Sequence, residues 1–279
     1  MQETTPKLQG QAKRLPARRE RGLDRAIALL EFLHRQRRPL RVSELAHGLG
    51  APRSTIYEII NRLLPAGILE AYGDGKVFFG KAVHFYAADY MAAHNLVRRA
   101  REEVDRLATE TGETAQFCML HGNKYTVVHM HAGARPFRIS SDVGVPIPLP
   151  WTASGRLLLS DLAEGELRAF VPDEDLRLPD GRIIDFEVFR SEIEEARRTG
   201  FCITSGLVDS FTQCMAAPVT DHGGRVAATI CFMVPRDLTG APRERLLTLL
   251  VESGRSLSVF AEPAGELAQP ARPAQAEKA

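Results

Sequence analysis

Residues 41–64, Arg-Val-Ser-Glu-Leu-Ala-His-Gly-Leu-Gly-Ala-Pro-Arg-Ser-Thr-Ile-Tyr-Glu-Ile-Ile-Asn-Arg-Leu-Leu, constrain the fold of this chain more than any other stretch. Leu45, Ala46 and Leu49 recur at helical spacing, so the first part reads as a short amphipathic helix. Ser43 is its expected N-cap, because a hydroxyl there accepts from backbone N–H groups left unpaired at a helix start. Gly48 and Gly50 supply the positive φ expected to end it. Pro52 is expected at the first position of a second helix, where its missing N–H costs nothing. Ile56, Ile59, Ile60, Leu63 and Leu64 give that helix a buried face and leave Arg53, Ser54, Thr55, Tyr57, Asn61 and Arg62 outward. A helix-turn-helix offers a recognition helix of this build to the major groove of DNA. A plain αα-hairpin in a helical domain uses the same spacing.

The following residues favour the DNA reading. Residues 66–70 end the helix and start a strand, Tyr72-Gly73-Asp74-Gly75-Lys76 is a hairpin turn signal, and Val77-Phe78-Phe79-Gly80 returns. Helix, helix and hairpin make a winged helix-turn-helix, with residues 23–33 as the packing helix in front and Lys76 on the wing reaching phosphate. Charge agrees: residues 1–80 hold 14 Lys and Arg against 8 Asp and Glu, a net of +6, whereas residues 81–279 carry a net of −5. A basic head on an acidic body suits a chain that meets phosphate through one domain.

A chain of 279 residues accommodates two domains. It contains no run of about 18 apolar residues, so no membrane span is expected. Residues 1–21 are basic without an apolar core and read as a flexible arm rather than a secretory signal; residues 262–279, rich in Ala, Pro, Glu and Gln, read as a disordered tail. Cys118, Cys202, Cys214 and Cys231 are scattered, which fits reduced thiols in a cytoplasm. His129 and His131 share one face of a strand near His121. A metal site and ordinary strand histidines are both open readings, with no carboxylate or cysteine at ligand spacing; no cofactor is expected.

Residues 81–112 read as a long helical stretch with a break near Asn95, a spacer and dimerisation element or simply core packing. Beyond it, strands are expected at 115–121, 125–131, 137–141, 201–204, 213–220 and 226–234, with helices at 153–162, 185–199 and 243–260. A sheet flanked by helices, α+β in class, follows. Trp151-Thr152-Ala153-Ser154-Gly155 places small side chains and two hydroxyls at a helix start, where backbone N–H groups favour an anion. A small organic acid could lie there with its body against Trp151, Phe211 or Met215; plain capping by Thr152 or Ser154 explains the residues equally. No Gly-x-Ser-x-Gly elbow, P-loop, dinucleotide fingerprint or His-Glu-x-x-His is present, so an enzyme is not expected. The catalytic alternative would use Ser154 with His129 or His131 as base.

Along residues 23–260 the chain resembles the IclR family of bacterial transcriptional regulators. The resemblance is carried by the opening helix, the Ser-Thr-bearing helix at 52–64, Gly80, the segment Thr152-Ala153-Ser154-Gly155-Arg156-Leu157-Leu158-Leu159, Gly200-Phe201, and Cys214-Met215-Ala216-Ala217-Pro218-Val219-Thr220-Asp221. It implies a winged helix-turn-helix domain at 22–80, a linker helix at 81–95 and a GAF/PAS-like effector-binding domain at 96–261. It also implies a homodimer or homotetramer, operator DNA and a small-molecule effector as partners, and Cys214 and Cys231 on two strands lining the pocket. Two departures stand out: Glu58, where many relatives carry a basic residue, and Phe211 in place of a glycine. Glu58 can pair with Arg62 at i,i+4 or accept from a cytosine amino group. The expected function is effector-controlled operator binding; the alternative is a small-molecule sensor acting through protein contacts.

Overall fold

The computed structural model describes residues 17–134 and 143–261, with side chains from Gly22 onward. The strand expected at 137–141, the tail at 262–279 and residues 1–16 of the arm lie outside the described residues. The chain forms two compact units divided between Tyr90 and Met91.

In the first unit, helix α1 (Ala17–Gln36) begins inside the stretch expected to be an arm and shortens it by five residues. Strand β1 (Leu40–Arg41), helices α2 (Val42–Gly48) and α3 (Arg53–Leu63), and strands β2 (Leu69–Tyr72) and β3 (Lys76–Phe79) follow. The hairpin β2–β3 is the expected wing, and β1 adds to it in the order β1-β3-β2. Three local expectations need correction. Ser43 lies inside α2, whose N-cap is Arg41; Glu44 takes the capping role by accepting from the Arg41 backbone N–H at 2.8 Å. Pro52 is the N-cap of α3, with ψ of 140° placing it just outside the helix. Only Gly50 has positive φ, 58°; at Gly48 a Cβ would land on the Phe32 ring, so its smallness serves packing. Leu29, Leu33, Leu40, Leu45, Ile56, Ile60, Leu69 and Val77 form one buried core, each large side chain contributing about 1.5–3 kcal/mol through removal from water.

Helix α4 (Lys81–Ala93) starts tied to the wing, the Ala82 N–H donating to the Gly67 carbonyl at 3.0 Å. Only Ala82 of this helix is buried, and Phe85, Tyr86 and Tyr90 are exposed. The chain breaks at His94 before α5 (Asn95–Thr111), which ends at Gly112.

The second unit is an antiparallel six-stranded sheet between two helical layers. Its strands are β4 (Thr114–His121), β5 (Lys124–His131), β6 (Ile147–Pro148), β7 (Cys202–Ser205), β8 (Thr212–Thr220) and β9 (Val226–Pro235), in the order β6-β5-β4-β9-β8-β7. Between β6 and β7 lie α6 (Ala153–Leu158), α7 (Glu164–Phe170) and α8 (Phe186–Thr199); α9 (Gly240–Ser258) closes the unit. Helix α6 is shorter than the expected 153–162, and α7 was not foreseen. One sheet face carries Phe117, Met215, Ala217, Ile230 and Phe232 against Val104 and Leu107 of α5 and Leu246 and Leu250 of α9. The other carries Cys118, Tyr125, Val127, Cys214, Ala216 and Cys231 against Ala153 and Leu157 of α6 and Phe189 and Ile193 of α8. Strict alternation along β8 and β9 divides the two cores.

Candidate nucleic-acid interface and ligand pocket

On α3, Ile56, Ile59 and Ile60 are buried, whereas Arg53, Ser54, Tyr57, Glu58, Asn61 and Arg62 are exposed and Thr55 is half-buried. The outward stripe is therefore the one the sequence spacing specified. No acidic side chain occupies the first turn of α3. The Glu58 carboxylate pairs with Arg62 at 3.2 Å, the first of its two possible roles. Lys76 is half-buried on the wing, and its ammonium and the Arg41 guanidinium both stand 4.0 Å from the Asp74 carboxylate.

The second candidate site gathers on the α6 side of the sheet. Thr152 is extended, caps α6 by accepting from the Gly155 N–H at 3.3 Å, and lies near the Tyr125 hydroxyl. Gly155 is obligatory for a different reason: a Cβ there would land on the Leu149 carbonyl oxygen. The turn at Leu149–Trp151 is thus pressed onto the helix start. Arg156, 2% exposed, fixes the same turn from below. Its guanidinium donates to the carbonyls of Pro150 at 3.0 Å and Thr152 at 2.9 Å, binds Glu192 of α8 at 2.5 Å and stacks on Phe189. Four of the five guanidinium N–H groups are thereby paired.

The start of α6 packs against Cys214. Ser154 Oγ stands near the Cys231 thiol, fully buried and without a hydrogen bond of good geometry, as does Thr229 Oγ1 two residues along β9. All four cysteines are buried and free. Hydrogen bonding to Cys231 and burial push the Cys214 thiol well above the ordinary range, and hydrogen bonding to Cys118 together with burial does the same for Cys231. Burial raises Cys202 to about 12 and Tyr125 well above a normal phenol. These thiols are protonated at neutral pH; they act as small, weakly polar wall groups rather than nucleophiles.

Of the residues expected to line a pocket, Thr152, Ala153, Ser154, Gly155, Cys214 and Cys231 come together. Met215 does not, because the period of two along β8 turns it into the core shared with α5 and α9. Phe211 does not either: it is 79% exposed. Asp209 accepts from the N–H groups of Phe211 and Thr212, and the Arg236 N–H donates to the Phe211 carbonyl. Those bonds fix the loop with the ring in solvent. Trp151 is half-buried at the rim, its indole N–H donating to the Asp175 carbonyl at 2.9 Å. The sequence reading missed Tyr125 and Thr229, although alternation from Cys231 would have placed Thr229 on the same face.

His129 and His131 do have a carboxylate partner. A bulge at Val128 turns both onto the α5 side, where each ring meets Asp105 Oδ1 at 2.9 Å. The sheet separates them from Ser154, so the imagined serine–histidine pairing is not assembled. Among the described residues no cluster of three or more His, Cys, Asp or Glu fits a metal ion, and no helix is long and apolar enough to cross a membrane.

A winged helix-turn-helix followed by a helix-backed antiparallel sheet is the architecture of a DNA-binding transcriptional regulator. Residues 22–71 match the IclR helix-turn-helix domain and residues 88–259 match the bacterial transcriptional regulator IclR C-terminal domain. The chain belongs to the IclR family. It is 29% identical to the HTH-type transcriptional regulator KipR of Bacillus subtilis, over 74% of this chain and 82% of that protein. Its fold matches an IclR regulator from Alicyclobacillus acidocaldarius with a TM-score of 0.76 at 20% identity, covering 86% of this chain and 98% of the other. It also matches an IclR homolog from Microbacterium hydrocarbonoxydans complexed with 4-hydroxybenzoate, with a TM-score of 0.75, 22% identity and the same coverages.

Proposed function

We propose that this regulator binds operator DNA through α3 and the wing, and that a small organic or aromatic acid in the α6 pocket controls the binding. The observation that carries the first half is the exposed face of α3, polar and basic, on a helix whose other face is locked in a core. Arg53, Ser54, Thr55, Tyr57, Asn61 and Arg62 contact the major groove, and Lys76 meets backbone phosphate. The pocket half is supported by Ser154 Oγ and Thr229 Oγ1. Two buried hydroxyls without partners are costly, and a ligand's polar atoms would satisfy them. The small side chains of Ala153, Cys214 and Cys231 surround Ser154, and Trp151 guards the rim. A relative of the same fold holds 4-hydroxybenzoate, which agrees with an aromatic acid.

The regulator acts as a homodimer or homotetramer, with the exposed apolar side chains Phe85 and Tyr86 of α4 covered by a second copy. Two recognition helices then meet half-sites about one helical turn apart, or a multiple of it. Effector binding shifts the arrangement of the heads only by its difference in affinity for the two arrangements. The test is a titration of the full chain onto its own upstream region at several salt concentrations, repeated with a panel of small organic acids. Arg53→Ala and Arg62→Ala should each weaken duplex binding about tenfold and leave the thermal shift given by an active acid unchanged. Equal duplex affinity for parent and both variants would refute the assignment of α3.

A further inference from the structure

The centre of the outward face of α3 is not basic. With 100° between successive residues, the buried Ile56, Ile59 and Ile60 and the half-buried Leu63 fix the inward direction. Ser54, Glu58 and Asn61 then lie closest to the opposite one, flanked by Tyr57 and Arg62. Glu58 is the one acidic side chain of this helix, and it sits on the basic first unit. Its pairing with Arg62 is an exposed i,i+4 contact, the two side chains 67% and 79% accessible. Such an exposed, screened pair adds little to helix stability. Stability therefore does not account for a carboxylate in the place where a recognition helix meets base edges.

Base-edge chemistry does. In the major groove guanine offers only acceptors and thymine an acceptor and a methyl group, so both repel a carboxylate. Adenine sets its amino donor beside the N7 lone pair, which opposes the second carboxylate oxygen. Cytosine presents a lone amino donor, and a guanine in the neighbouring base pair presents O6 and N7 to a guanidinium. An ion pair already formed along one helix face carries the matching acceptor and donor together.

We propose that Glu58 is a specificity-determining residue, and that Glu58 and Arg62 together select a cytosine beside a guanine in each operator half-site. The inference rests on the DNA-binding reading given above. Glu58 accepts from the cytosine N4 amino group while Arg62 donates to guanine O6 and N7. Glu58 also acts against sites lacking that cytosine, where its charge meets acceptors alone at guanine or thymine, or a donor set beside an acceptor at adenine.

The experiment selects duplexes from a pool with randomised half-sites using the full chain, then measures anisotropy isotherms at one fixed salt concentration for the parent, Glu58→Gln and Glu58→Ala. The parent should enrich a cytosine in each half-site, and replacing it should weaken binding about tenfold. Glu58→Gln should move the preference at that position to adenine, whose N6 and N7 suit an amide. Glu58→Ala should flatten that position alone and bind unrelated duplex at least as tightly as the parent. Identical base preferences for parent and Glu58→Ala, or parent-selected sites without the cytosine, overturn the inference while leaving DNA binding intact. A parent that retains no duplex at all overturns the DNA-binding reading and the inference with it.

Discussion

Helices α3 and α6 open in similar ways and end in opposite environments. Each begins with small polar residues, Arg53-Ser54-Thr55 in one and Ala153-Ser154-Gly155 in the other, after an extended cap residue. In α3 those side chains stand in water or half in it, whereas in α6 every residue from Ala153 to Leu158 is buried. The difference comes from what covers each helix start. Among the described residues Pro52 and Arg53 are exposed, while the Leu149–Trp151 turn, held by Gly155 and Arg156, closes over the start of α6. An open start is available to a partner as large as a duplex; a closed one admits only something small. The same local sequence signal thus serves two kinds of recognition, and tertiary cover decides which.

This contrast can be attacked from either side. The largest effect is expected from Ile56→Ala, which removes the anchor of α3 and should cost the first unit about 2–5 kcal/mol. Trp151 is the one tryptophan of the chain and lies in the second unit, so its fluorescence during urea unfolding should keep its midpoint while duplex binding is lost. A shifted Trp151 midpoint would break the separation. Next, Gly155→Val should destabilise the second unit by about 1–3 kcal/mol through overpacking against Leu149, seen as an earlier Trp151 transition; an unchanged midpoint would mean the turn does not press on α6. Ser154→Ala should stabilise the ligand-free protein by about 1 kcal/mol, since it removes a buried hydroxyl that lacks a partner, yet weaken the thermal shift produced by an active acid. Loss of stability would show that the hydroxyl is already satisfied.

The smallest effect is expected at Asp105. Partial burial would raise its carboxyl, but hydrogen bonds from His129 and His131 outweigh it and hold the group below the usual carboxylate range. A depressed folded value stabilises above the unfolded one and loses that contribution as pH falls through the folded value. Because the group is 44% accessible, the contribution should stay under about 1 kcal/mol after screening. Asp105→Asn should therefore lower stability slightly at neutral pH and leave it unchanged in strong acid, measured as melting temperature against pH.

The sequence made the first unit easy to read because its signals are local. Isoleucines spaced for α3 and the Tyr72–Lys76 turn each act within a few residues of themselves. The pocket was legible only in part. Ser154 was found by its setting at a helix start and Cys231 through the family resemblance, but Met215 was assigned to the wrong face despite a strand alternation that contradicts it, and Phe211 was judged by its size rather than by the Asp209 turn beneath it. Asp105 escaped notice as a partner because the 24 and 26 residues separating it from His129 and His131 are bridged only by helix-on-sheet packing and a bulge. Helix α7, with Leu167 its one buried residue, carries too little periodicity to declare itself.

Strand β6 has a consequence for how such a molecule survives at high local concentration. It is two residues long, borders the sheet among the described residues, and contains Pro148 between Pro146 and Pro150. Pro148 has no N–H to offer, so a stray strand from another chain finds no ladder to extend along that border. Copies of this protein can crowd onto neighbouring sites without their sheets fusing into aggregates through that rim.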